Sequence, residues 1–257
     1  MAALALGLVS GCAGADGGRE ATHDDLGLTI FAAASLRDVL AELEPRFEAA
    51  HPGVGLTIAY DGSNILAAQI REGAPADVFV SADTERPSDL AAAGLTAASP
   101  VPFARNHVAL VIPLQGRKVM AAEDLADAGV RIVAAGPRVP ISSYAAQALE
   151  QLAARRPDGE DFLARVEANT ASREDNVRAA LAKVELGEGD AALVYASDAR
   201  SSRLVREVAL PPGVEVTADY AAVQVTDRPA AAEFVAWLRG PEASAALSAA
   251  GFEPVSR

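Results

Sequence analysis

From Leu28 onward the chain alternates short β-like runs with amphipathic helical stretches, and this alternation confines it to α/β layering with parallel strands inside. Leu28-Thr29-Ile30-Phe31 reads as the first strand. A helix follows from about Ser35 to Ala50, with Leu36, Val39, Leu40, Leu43 and Phe47 at helical spacing, and Pro52-Gly53 ends it. Gly55 to Tyr60 is a second strand, Ser63 to Glu72 a helix and Asp77 to Val80 a third strand. Such a β-α-β-α-β run presents its strand-end loops along one edge of the sheet.

The section from Val108 to about Ala209 repeats the theme. Its strands are Val108 to Ile112, Arg131 to Ala134 and Ala191 to Tyr195, and its helices Ser142 to Ala154 and Asp175 to Glu185. Pro211-Pro212-Gly213 breaks the chain; Val214 to Val225 then reads as a strand leading to helices Pro229 to Leu238 and Pro241 to Ala250. The expectation is two lobes, 27–107 with 221–257 and 108–220, joined by extended crossings near 105–110 and 215–222. A chain of 257 residues is long enough for two such cores.

The N-terminus reads differently. Met1 to Gly11 is small and apolar and ends in Val9-Ser10-Gly11-Cys12, which looks like a bacterial lipoprotein signal cut before the cysteine. No Lys or Arg precedes the apolar run, a departure from a signal n-region. The stretch is too short to span a bilayer, which needs roughly 20 residues. Residues 1–11 are therefore expected to be a signal peptide, Cys12 a lipidated anchor and 12–26 a flexible tether, placing the protein on the outer face of the cytoplasmic membrane or in the periplasm.

Composition removes several function classes. A net charge of −13 argues against nucleic acid and anionic lipid surfaces, which need a basic face. It says little about a small buried anion, because distant charges are screened within about 8–10 Å at ordinary salt. Cys12 is the only cysteine, and His23, His51 and His107 show no metal-like spacing, so no metal cluster or cofactor is expected. With no phosphate loop and no nucleophile-elbow motif either, the sequence reads as a binding protein rather than an enzyme.

What recurs is a strand ending in small residues, followed at once by a helix opening on Ser or Asn: Ala32-Ala33-Ala34-Ser35, then Tyr60-Asp61-Gly62-Ser63-Asn64. Either serine alone is accounted for by ordinary N-capping. Two on one sheet edge point to a shared crevice, where unpaired helix-start N–H groups attract an anion without a cationic side chain.

The chain also resembles the periplasmic molybdate-binding proteins of ABC importers. The resemblance is carried by Phe31-Ala32-Ala33-Ala34-Ser35-Leu36, by the run from Gln69 to Asp83 that includes Gly73-Ala74-Pro75-Ala76-Asp77-Val78-Phe79-Val80-Ser81-Ala82-Asp83, by Asn176-Val177-Arg178-Ala179-Ala180-Leu181, and by Val194-Tyr195-Ala196-Ser197-Asp198-Ala199. It implies a two-lobed periplasmic-binding-protein fold of type II, each lobe a mainly parallel sheet flanked by helices, with the ligand in the interlobe cleft. It further implies a monomer that captures molybdate, and tungstate with it, for an ABC permease. The same fold also serves receptors for sulfate, thiosulfate or other small anions.

Carried over by position, the oxyanion contacts fall on Ser35 and Ser63 through hydroxyl and N–H, on the N–H groups of Ile141 and Val177, and on the phenol of Tyr195, all touching molybdate oxygens rather than the metal. Two positions depart from the family pattern: Ile141, where a smaller residue is usual, and Asn64, expected to add an amide donor or to cap its helix. Asp77 and Asp198 are assigned to structure, since a carboxylate facing an oxyanion repels it. A site made wholly of donors suits anions without a proton and disfavours phosphate, which retains one.

Overall fold

The computed structural model describes residues 27–255. The leader 1–11, the tether 12–26 and Cys12 lie outside the described residues. The first half forms as the apolar pattern requires. Strand β1 (Gly27–Ala33) runs parallel to β2 (Gly55–Asp61) on one side and to β3 (Val78–Ser81) on the other. After β1 a 3-10 turn (Ala34–Leu36) leads into α1 (Arg37–Ala50), which buries Val39, Leu40, Leu43 and Phe47. The 3.6-residue spacing of these side chains is what holds the helix against the sheet. Helix α2 (Ser63–Arg71) and α3 (Glu85–Ala92) follow β2 and β3.

Strand β4 (Val101–Pro113) is longer than its apolar stretch suggests and belongs to two sheet regions. Its first part pairs antiparallel with β9 (Thr217–Gln224), from Val101 opposite Ala222 to His107 opposite Thr217. Its second part pairs antiparallel with β7 (Ala192–Tyr195) and β8 (Val205–Val208). Strand β9 also pairs with β3, so the sheet order runs β10-β4-β9-β3-β1-β2, with β10 at Glu253–Pro254. The sheets are thus mixed: parallel where β-α-β units repeat, antiparallel where the chain crosses between the regions and returns.

The second region adds β5 (Ile132–Ala135) parallel to β6 (Thr170–Glu174), and the helices α4 (Pro140–Ala153), α5 (Gly159–Ala168), α6 (Val177–Glu185) and α7 (Ala196–Ser201). Helices α8 (Pro229–Leu238) and α9 (Pro241–Ala249) close the chain, α9 packing on α1. One hydrophobic cluster runs through both regions, from Leu28 and Phe47 to Phe162 and Val184. Among the described residues no helix is long and apolar enough to cross a membrane.

Candidate functional site

Both candidate serines sit at helix starts, yet neither acts as a cap. Gly62 is the N-cap of α2 and makes no side-chain cap bond, and the Ser35 turn has none either. The hydroxyls are engaged elsewhere. Ser35 Oγ lies 2.9 Å from the phenol oxygen of Tyr220 on β9, and Ser63 Oγ accepts a 3.1 Å hydrogen bond from the N–H of Ala82, just past β3. Both serines are buried. The N-capping reading therefore gives way to serines oriented by the sheet beneath them.

The register of β4 explains why tyrosines gather under Ser35. Ala104, Asn106 and Val108 share one face of the strand, and the residues opposite Ala104 and Val108 are Tyr220 and Tyr195. Those two rings meet edge to face with centroids 5.5 Å apart. Tyr195 is fully buried and its hydroxyl has no hydrogen-bond partner. Burial pushes both phenols well above their ordinary pKa, so both are protonated donors at any physiological pH.

The remaining two candidates supply backbone. Val177 opens α6, whose N-cap Asn176 accepts from Ala179 N–H at 3.0 Å, leaving the Val177 N–H without an acceptor inside the helix. Ile141 is the second residue of α4, after Pro140, where the same holds. Ile141 is buried and lines a cavity of about 150 Å³ with Ala135, Ala145 and Leu193. The branched residue thus occupies the core and leaves the loop's N–H clear.

Several of these elements touch one another. Tyr144, one turn past Ile141, packs 6.4 Å from the Tyr195 ring, and α6 packs on the 3-10 turn that carries Ser35. Asn176 Nδ2 donates to Asp61 Oδ1 at 3.1 Å, which draws the loop before α6 onto the loop before α2. Gly62 lies so close that a Cβ there would come within 2.6 Å of the Asp175 carbonyl oxygen. Its φ of −59° is open to any residue, so glycine serves close approach here. Asn64 does not cap α2, and its Oδ1 is buried without a partner.

Charges surround the site without entering it. Arg178 follows Val177 and ion-pairs with Asp198 Oδ1 at 2.8 Å and with Asp38 on α1. Asp198, wholly buried, accepts from the N–H of Tyr195 at 3.3 Å; burial raises its pKa to about 6 against the opposing pull of Arg178. Asp83 is raised by burial and held by Ser81 Oγ and the Arg86 N–H, both at 3.0 Å. Asp77 is structural, binding Thr29 N–H, Thr226 Oγ1 and Arg228, each at 2.8 Å. His51 stacks on Phe47 and His107 pairs with Glu253, so neither takes part. Among the described residues no group of His, Cys, Asp and Glu could hold a metal ion. Sequence reasoning missed Tyr220, Asn106 and Ala82; a lone aromatic in the alanine-rich β9 was the only local signal.

Comparison with known proteins agrees with this architecture. The model of the bacterial extracellular solute-binding proteins matches residues 28–253. The molybdate-binding protein ModA of Mycobacterium tuberculosis is 36% identical over 230 residues, covering 88% of this chain and 84% of its own. ModA of Escherichia coli is 32% identical over 244 residues, covering 90% and 91%. Among solved structures, the periplasmic molybdate-binding protein of Azotobacter vinelandii superposes with a TM-score of 0.73 at 23% identity, covering 88% of this chain and 98% of its own. The chain belongs to the bacterial extracellular solute-binding protein family, together with the ModA molybdate-binding proteins.

Proposed function

We propose that this protein captures molybdate, and tungstate with it, and delivers the anion to the permease of an ABC importer. What supports the reading is the pair of buried serines at the ends of β1 and β2, the helix-start N–H groups of Ile141 and Val177 and the buried, unpartnered phenol of Tyr195, with the packing of α6 on the Ser35 turn. Ser35, Ser63, Ile141, Val177 and Tyr195 then contact the four oxygens with donors alone. Kinship with the ModA proteins supports molybdate as the ligand.

In this reading residues 27–107 with 221–257 form one lobe and 108–220 the other, β4 and β9 being the crossings. The protein works as a monomer without a cofactor, tethered through lipid on Cys12, and performs no catalysis. Calorimetric titration with molybdate, tungstate and sulfate tests the assignment. Tight, one-to-one binding of molybdate and tungstate with sulfate far weaker is expected. Tight sulfate binding without a molybdate response would overturn it.

A further inference from the structure

We propose that Arg178 is a positioning residue for anion capture: it ties α6 and α7 of the second lobe to α1 of the first, and its ion pair with Asp38 holds the lobes together around the anion. The proposal rests on the two-lobe reading given above and adds to it a contact that sets how long the anion is retained.

The sequence places three charges next to three proposed donors. Arg178 directly follows Val177, whose N–H opens α6. Asp38 stands three residues after Ser35, in the first turn of α1. Asp198 stands three residues after Tyr195, within α7, and accepts from the Tyr195 N–H at 3.3 Å. Ser35, Asp38, Arg178 and Ser201 line one cavity of about 270 Å³, so the charges and the first serine face the same space.

The guanidinium is fixed within its own lobe. Its Nε lies 2.8 Å from Asp198 Oδ1, and neither atom has a hydrogen-bond partner, so each relies on the charge of the other. Asp198 is fully buried, where a carboxylate without a counter-charge is costly. Arg178 Nη1 donates to Ser201 Oγ at 3.0 Å, and that hydroxyl donates to the Asp198 carbonyl at 2.9 Å. Held at these two points, Arg178 presents Nη2 to Asp38 across the lobe boundary.

A surface ion pair ordinarily contributes little, because two side chains must be ordered to form it. Here the long partner is already ordered and only 22% exposed, and the short one, Asp38, has little freedom to lose. Arg105 and Asp219 also pair at 2.9 Å, but they sit opposite each other on β4 and β9, whose ladder keeps them together however the lobes move. The Arg178–Asp38 pair joins two helices of different lobes and has to break when those lobes part. Its loss therefore falls on release of the anion, while the first encounter with separated lobes does not involve it.

The test is Asp38→Asn, which keeps the side-chain size and leaves Arg178, Asp198 and Ser201 in place. Association and dissociation rates of molybdate are measured by rapid mixing in native and variant protein. By charge alone, removing a carboxylate near the site would slow the release of an anion; the tie predicts the opposite. Dissociation is expected to be at least about threefold faster in the variant, with association equal or faster. Raising sodium chloride from about 0.05 to 0.5 M should speed dissociation in the native protein more than in the variant. Unchanged or slower dissociation, or an equal salt response in both proteins, overturns the inference. A rise that Asp38→Glu reproduces in full would trace to shape rather than charge and also overturn it. Native protein that binds no molybdate would reject the ligand assignment instead. Small-angle scattering of the ligand-free proteins then decides: a larger radius of gyration in Asp38→Asn supports the tie, and identical curves reject it.

Discussion

The proposed site draws on two kinds of donor built on different principles, side-chain hydroxyls at Ser35, Ser63 and Tyr195 and backbone N–H groups at Ile141 and Val177. Ser35 and Ser63 offer side-chain hydroxyls, and each depends on a particular group beneath it, Tyr220 or the Ala82 N–H. Ile141 and Val177 offer backbone at helix starts, where the side chain is free to serve the core. A hydroxyl contact therefore constrains residue identity, while a backbone contact constrains only the path of the chain. A branched residue at 141 is compatible with such a contact, since Ile141 is buried among core residues.

Three substitutions sharpen or break that contrast. The largest effect is expected from Ile141→Ala, and on stability rather than on binding: loss of a buried aliphatic side chain costs about 2–4 kcal/mol in denaturant unfolding. Molybdate affinity should stay within about threefold of the native value, because the N–H is retained and 1.4 kcal/mol corresponds to about tenfold. A large loss of affinity with unchanged stability would mean the side chain belongs to the site. Ser63→Ala should weaken molybdate binding by ~1–3 kcal/mol in calorimetry and also lower the ligand-free melting temperature, because the buried Ala82 N–H loses its acceptor. Val177→Pro removes a single N–H at the first position of a helix, where proline is tolerated, and Asn176 before it is already extended at φ −153° and ψ 168°. It should weaken binding by about 1–2 kcal/mol with native circular dichroism; native affinity would exclude that N–H.

Much of the fold was legible because apolar periodicity is strong wherever an element faces the common core. Helix α1 and strands β1 to β3 start and end within a few residues of the pattern. Elements without that periodicity escaped. Strand β6 reads Thr-Ala-Ser-Arg-Glu, has no buried residue and is held by its ladder to β5. Helix α5 buries only Phe162 and Val166 behind Pro157-Asp158, and β8 offers just Val205 and Val208. At the site, Ser35 and Ser63 could be found because a strand that ends in small residues before a helix is a local pattern. Tyr220 could not, since its link to Ser35 spans 185 residues and exists only through the pairing of β9 with β4 and β3.

Gly62 lets the two loops approach closely, and the consequence is one of tolerance in the mechanical sense. The gap there is set by a hydrogen atom against a carbonyl oxygen, with 2.6 Å left for the first carbon of any side chain. Every other residue would act as a shim between the loop before α2 and the loop before α6. The fit between these two loops is thus machined at a position that carries no side chain.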